Sequence, residues 1–144
     1  MASSQNKNKS DGKILIQADI SGEILLCPEG LSFWGGVDPE TGTIIDIHHP
    51  CYQQNLSGKI LMMPSSRGSC SGSGVLLELC LKNIAPAAII FHEAEEILSL
   101  GALVAERIFN KPIPIIKLKK QHYLILRKSS WAAIHRNSCL LYTS

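Results

Sequence analysis

Residues 63–74, Met63-Pro64-Ser65-Ser66-Arg67-Gly68-Ser69-Cys70-Ser71-Gly72-Ser73-Gly74, hold the densest set of hydroxyls in the chain, together with a guanidinium and several glycines. The apolar run ending Ile60-Leu61-Met62 precedes them and Val75 to Leu81 follows, so the pattern reads strand, small-residue loop, buried helix. The first backbone N–H groups of a helix lack intrahelical partners and stand at the positive end of its aligned peptide dipoles. Small residues let an anion or a substrate carboxylate approach those donors. A serine hydroxyl held there has an alkoxide less unfavourable than in water. The loop can therefore bind an anion, supply an activated hydroxyl, or both. It equally suits a plain connector in which Ser69 or Ser71 only caps the helix. It is neither a Walker loop, since no Gly-Lys-Ser/Thr closes it, nor a Gly-x-Ser-x-Gly nucleophile elbow.

Two further clusters carry ionisable groups. Asp46, His48 and His49 close a predicted strand, Thr43 to Ile47, and have the chemistry to bind a metal or polarise a substrate. No ligand beyond these is placed by spacing, so the expectation is one histidine bonded to local backbone, one facing water, and no metal site. His92, Glu93, Glu95 and Glu96 resemble an acid/base cluster, but acids at the start of a helix are expected to be solvated charges that favour its dipole.

The elements that must position these groups come from one domain of ordinary size. The chain has 144 residues, 45% hydrophobic and 18% charged, with a net charge of +2. It has no basic stripe with interleaved aromatics, which gives nucleic-acid binding no support, and Lys117, Lys119 and Lys120 read as a solvated strand end. No apolar run reaches the roughly 20 residues of a membrane helix, and Met1 to Ser10 is polar rather than a signal peptide. Five cysteines, at 27, 51, 70, 80 and 139, are odd in number and without C-x-x-C spacing. Free thiols in a reducing, cytoplasmic compartment are the expectation.

Taken in order, residues 1–12 read as a loose tail. Lys13 to Ile20 and Ser21 to Leu26 predict two short strands with a Ser-Gly break. Asp38-Pro39-Glu40-Thr41-Gly42 has the chemistry of a type I turn, and 51–58 that of a polar, mobile connector. Ala87 to Phe91 predicts a strand buried on both faces, completing a βαβ-like unit that puts Ser69 at the carboxyl end of a strand. Ile97, Leu98, Leu103, Val104 and Ile108 predict a helix face broken at Gly101. Lys111 to Ile116, with prolines at 112 and 114, predicts an edge strand. Tyr123 to Leu126 and Trp131 to His135 predict a closing hairpin. Residues 138–144 resemble translated sequencing-adapter sequence, which would set Cys139 aside.

Leu31-Ser32-Phe33-Trp34-Gly35-Gly36-Val37-Asp38-Pro39, Thr41-Gly42, Ile45-Asp46, His49-Pro50, Arg67-Gly68-Ser69, Gly72-Ser73 and Ala85-Pro86-Ala87-Ala88-Ile89-Ile90 stand in the order and spacing of one family. Over about residues 13 to 135 the chain resembles the small, swivelling-domain subunit of aconitase X. The resemblance implies an α/β fold, a swivelling β/β/α domain rich in strand with two or three helices, spanning 13–137. It implies a hydro-lyase half-site that closes over a large subunit carrying an iron-sulfur cluster, with none bound by this chain. The implied substrate is cis-3-hydroxy-L-proline, as Phe33-Trp34-Gly35-Gly36 looks like the bacterial form; the alternative is mevalonate 5-phosphate. A reading from another class is a non-catalytic anion-binding or regulatory module.

By the same resemblance Gly68-Ser69 matches the superfamily Gly-Ser whose alkoxide takes the proton beside a carboxylate, making Ser69 the general base. Ser65-Ser66-Arg67 offers a second register, with Ser65 as base; the two registers exclude each other. If Ser69 is the base, Ser71 stands where the superfamily has an arginine, so Arg67 or an arginine of the large subunit binds the substrate carboxylate. Arg67, Gly68, Cys70 and Ser71 are the expected substrate-binding residues, and the cluster's expected task is Lewis acid on the leaving hydroxyl.

Overall fold

The computed structural model describes residues 7–9, 12–14, 19–135 and 140–143. Four parallel strands form the centre: β3 (Ile20–Leu26), β4 (Ile60–Met62), β5 (Ala88–Phe91) and β6 (Ile115–Leu118). Antiparallel strands extend both ends. β2 (Gly12–Ile14) pairs with β6, while β7 (Trp131–His135) pairs with β3 and is followed by β8 (Leu140–Thr143) and β1 (Lys7–Lys9), giving the order β1-β8-β7-β3-β4-β5-β6-β2.

Alternation along the strands divides the core in two. Leu61, Met63, Ile89, Phe91 and Ile115 face α2 (Gly72–Leu81) and α3 (Ile97–Phe109), which contribute Val75, Leu76, Leu79, Leu98, Ala102 and Ala105. Ile60, Met62, Ala88, Ile90, Ile116 and Leu118 face the other way, onto Tyr123 and Leu126 of α4 (Lys120–Leu126) and Ala132 and Ile134 of β7. The wholly apolar β5 is buried throughout because helices cover one face and α4 the other. The β4–α2–β5 unit expected from the sequence is present, with its loop at the carboxyl end of β4.

Several elements differ from the sequence reading. Ser21 and Gly22 lie inside β3, paired with Ala133 and Ala132, so there is no break there. Residues 43–47 make no strand; only the bridges Val37–Ile44 and Thr43–Asn55 form. The connector 51–58 buries Cys51 and Leu56 and is tied by Gln53 N–H to Ile44 O and Leu56 N–H to Gly42 O. Gly101 does not break α3. It is buried where α3 crosses α2, and a Cβ there would stand 2.9 Å from the Ser73 carbonyl oxygen. Leu103 and Ile108, expected on the buried face, are exposed. The strand after Pro112 and Pro114 begins only at Ile115 and is paired on both sides, not at an edge. The closing hairpin is absent: 120–126 is helical because Tyr123 and Leu126, three apart, are buried while Leu124 and Ile125 face water. Phe33–Gly36 (α1) is a single hydrogen-bonded turn, with Trp34 extended and Gly35 at φ +79°, so the helices proper among the described residues are α2, α3 and α4, within the two or three expected.

The Asp38 turn forms as expected, with Asp38 O accepting Gly42 N–H at 2.8 Å and its carboxylate accepting Glu40 N–H at 2.9 Å. Within the stretches read as tail and adapter sequence, 7–9 and 140–143 are the backbone strands β1 and β8; Met1 to Asn6 and Cys139 lie outside the described residues.

Candidate active site

Beyond Met62 the chain leaves the sheet and runs along the exit of its neighbour β5. Pro64 O accepts the N–H groups of His92 and Glu93, Ser65 Oγ donates to Ala94 O at 3.1 Å, and Ser66 Oγ bonds a carboxylate oxygen of Glu95. Glu95 also accepts Leu98 N–H at 2.8 Å and Ser99 N–H at 3.0 Å, capping α3. One carboxylate therefore ties the loop to the start of a helix. Both hydroxyls of Ser65 and Ser66 are spent on this scaffold.

The other wall is the segment after β3. Arg67 N–H donates to Leu31 O at 3.4 Å, and the Arg67 guanidinium lies 3.7 Å from the Glu29 carboxylate. A Cβ at Gly30 would come within 2.7 Å of Ser65 O. Gly68 has φ +96°, and a Cβ there would fall inside the Ser32 side chain. Only glycine lets the chain turn at 68 this close to the wall.

Ser69 then stands exposed, its Oγ accepting the Ser71 N–H at 3.1 Å, which leaves its own hydroxyl proton undirected by any bond among the described residues. Arg67, Gly68, Cys70 and Ser71 are exposed beside it. The free helix-start donors are fewer than the sequence suggested. Gly72, Ser73 and Gly74 give their N–H groups to the carbonyls of Ser69, Cys70 and Ser71, a tight turn that leads into α2. Among the described residues the Cys70 N–H is left without a partner. Cavities of about 400 Å³, by Asn83 and Lys111, and about 430 Å³, by Ile20 and Trp131, lie away from this loop.

The two histidines separate as expected. His48 is exposed, while buried His49 accepts Cys51 N–H on Nδ1 at 3.0 Å and has Nε2 3.2 Å from Glu29 O. His92 packs edge-on to Tyr123, and Glu93 and Glu96 face water. Glu95 was not separable by sequence from its neighbours, since Ser66 is 29 residues away in the chain.

The ligand atoms of Cys27, His49 and Cys51 lie within 4.8 Å of one another, which raises the question of a metal centre. They do not fit one. Both ring nitrogens of His49 are engaged, Cys51 Sγ donates to Leu26 O at 3.3 Å, and burial pushes the Cys27 thiol far up, with the neighbouring Cys51 thiol adding to it. A metal placed here would have to displace the bonds to Glu29 O and Leu26 O. Cys70 is exposed and Cys80 is buried in α2, where burial pushes its thiol up to about 11.

The profile of the aconitase X swivel domain matches residues 9–142. This chain belongs to the aconitase X family. A cis-3-hydroxy-L-proline dehydratase from Pseudomonas aeruginosa is 53% identical over 103 residues, 72% of this chain but 18% of that protein. A phosphomevalonate dehydratase small subunit from Thermococcus kodakarensis is 39% identical over 111 residues, 77% of this chain and 84% of that protein. The crystal structure of Thermococcus kodakaraensis aconitase X, holo-form, superposes with a TM-score of 0.80 at 31% identity, covering 95% of this chain and 98% of that one. The chain thus spans about a fifth of the cis-3-hydroxy-L-proline dehydratases it matches and most of the small subunits. No described helix is long and apolar enough to cross a membrane.

Proposed function

We propose that this aconitase X swivel domain completes a dehydratase by supplying Ser69 as general base, acting in the cytoplasm against a large subunit that carries the iron-sulfur cluster. The observation that carries the reading is the state of the hydroxyls of Ser69, its rival Ser65 and the adjoining Ser66. Ser65 and Ser66 donate to Ala94 O and Glu95, whereas Ser69 is exposed and only accepts, from Ser71 N–H. That N–H favours an oxyanion at Ser69, and Arg67, two residues earlier, brings a positive charge to the same loop. Serine is a very weak acid, so the alkoxide also needs the water-free surroundings that a partner would provide on closing.

The substrate favoured is cis-3-hydroxy-L-proline. Ser69 would take the proton from the carbon bearing the carboxylate, and the hydroxyl on the next carbon would leave as water. Arg67, bordering Gly68, Cys70 and Ser71, would hold the carboxylate, drawn from its loose pairing with Glu29. The higher identity to the Pseudomonas relative supports this choice. Mevalonate 5-phosphate is the second reading, supported by the match in length to the phosphomevalonate small subunits. Turnover of both substrates by the chain reconstituted with its large subunit decides between them. In the same assay Ser69→Ala should assemble and lose turnover, and Ser65→Ala should keep it. An active Ser69→Ala complex would refute the assignment.

A further inference from the structure

Apart from thiols and the Tyr123 hydroxyl, His49 is the one buried polar side chain among the described residues, 3% exposed. A backbone N–H can only donate, so Nδ1, which receives Cys51 N–H, is the acceptor, and Nε2 carries the proton and donates to Glu29 O. The ring therefore clasps two segments 20 residues apart: the turn 49–51 and the wall 28–32. That wall is what the base-bearing loop leans on. Glu29 pairs with Arg67, Gly30 backs Ser65 O, Leu31 O takes Arg67 N–H, and Ser32 fills the space at Gly68.

We infer that His49 is a positioning residue that holds Arg67 in place through its bond to Glu29 O. It touches no substrate. The inference rests on the reading of Arg67 and Ser69 given above, and its structural half can be tested without turnover.

Asparagine places its side-chain oxygen near the Nδ1 position and so keeps the Cys51 N–H bond while losing the donor to Glu29. Glutamine reaches the Nε2 position and restores that donor. In the isolated chain, His49→Asn should move the amide NMR resonances of Gly30, Leu31, Arg67 and Gly68, and His49→Gln should leave them near their original places. In the complex reconstituted with the large subunit and cis-3-hydroxy-L-proline, His49→Asn should raise KM about tenfold with kcat within about twofold, the pattern of lost uniform binding. His49→Gln should recover most of it. In an Arg67→Ala background His49→Asn should raise KM no further, because the residue through which it acts is gone. Unmoved Arg67 and Gly68 resonances in His49→Asn overturn the inference whatever the kinetics. So do equal losses in the Asn and Gln variants that add to Arg67→Ala, which mark a packing role alone. Moved resonances with an active Ser69→Ala complex leave the clasp standing and refute the proposed base.

Discussion

Ser69 Oγ accepts the backbone N–H of Ser71 at 3.1 Å, so the proposed base is also the cap of the turn that opens α2. The two roles separate by substitution. Ser69→Ala should lower kcat of the reconstituted complex about 10²–10⁴-fold and cost about 1 kcal/mol of stability. Ser69→Asn keeps a capping oxygen and should be as inactive while unfolding close to the wild-type midpoint. Calorimetry and initial rates on the same preparations check both; an active Asn variant refutes the base.

Gly30 offers a test of the wall. The obstacle to a Cβ there is Ser65 O, a backbone atom at 2.7 Å that no rotamer change can move aside. Gly30→Ala should cost about 1–3 kcal/mol and reduce turnover by displacing the loop. Denaturant midpoints and kinetics should fall together. Wild-type values for both would show that the wall does not constrain the loop.

The crossing of α2 and α3 makes a second steric test. At Gly101 a Cβ meets Ser73 O at 2.9 Å and the Ser73 Cα at 3.2 Å. Gly101→Val should destabilise by about 1–3 kcal/mol despite removing a glycine from a helix interior. A thermal midpoint equal to or above wild type would contradict so tight a crossing.

Alkaline stability follows from Cys80. Burial, partly offset by Lys111, lifts its folded thiol from 9.0 to about 11. Between those values the unfolded chain gives up the proton and the folded chain keeps it, so stability is full below pH 9 and falls as pH rises toward 11. Cys27 and Tyr123, both raised mainly by burial, act in the same direction. Cys80→Ala should therefore make the fall between pH 9 and 11 shallower by one proton's share without abolishing it. Urea titrations across that range check the slope, and an unchanged slope would place Cys80 outside the linkage.

The β4–loop–α2–β5 unit was legible because its apolar runs are long, buried and separated by an unmistakable small-residue loop. The misreadings have local causes. Tyr123-Leu124-Ile125-Leu126 favours strand by composition, and only tertiary burial of Tyr123 and Leu126 selects the helix. Gly101 signals a break when read alone, yet what decides it is a neighbour 28 residues earlier, Ser73. For the site, the family resemblance at Arg67-Gly68-Ser69 pointed to Ser69 and Arg67, while type and spacing alone gave only a hydroxyl-rich loop before a helix. The grip of Glu95 on Ser66 and of His49 on Glu29 could not, since each joins segments that meet only after the sheet has formed.

The tethers at Ser65, Ser66 and Arg67 govern how the hydroxyl can travel. A strip stitched to two neighbours in this way is no flap free to fold down by itself. On the proposed reading, Ser69 reaches a reactant only when the entire slab swings like a door, with the pivot lying in whatever joins this unit to its counterpart.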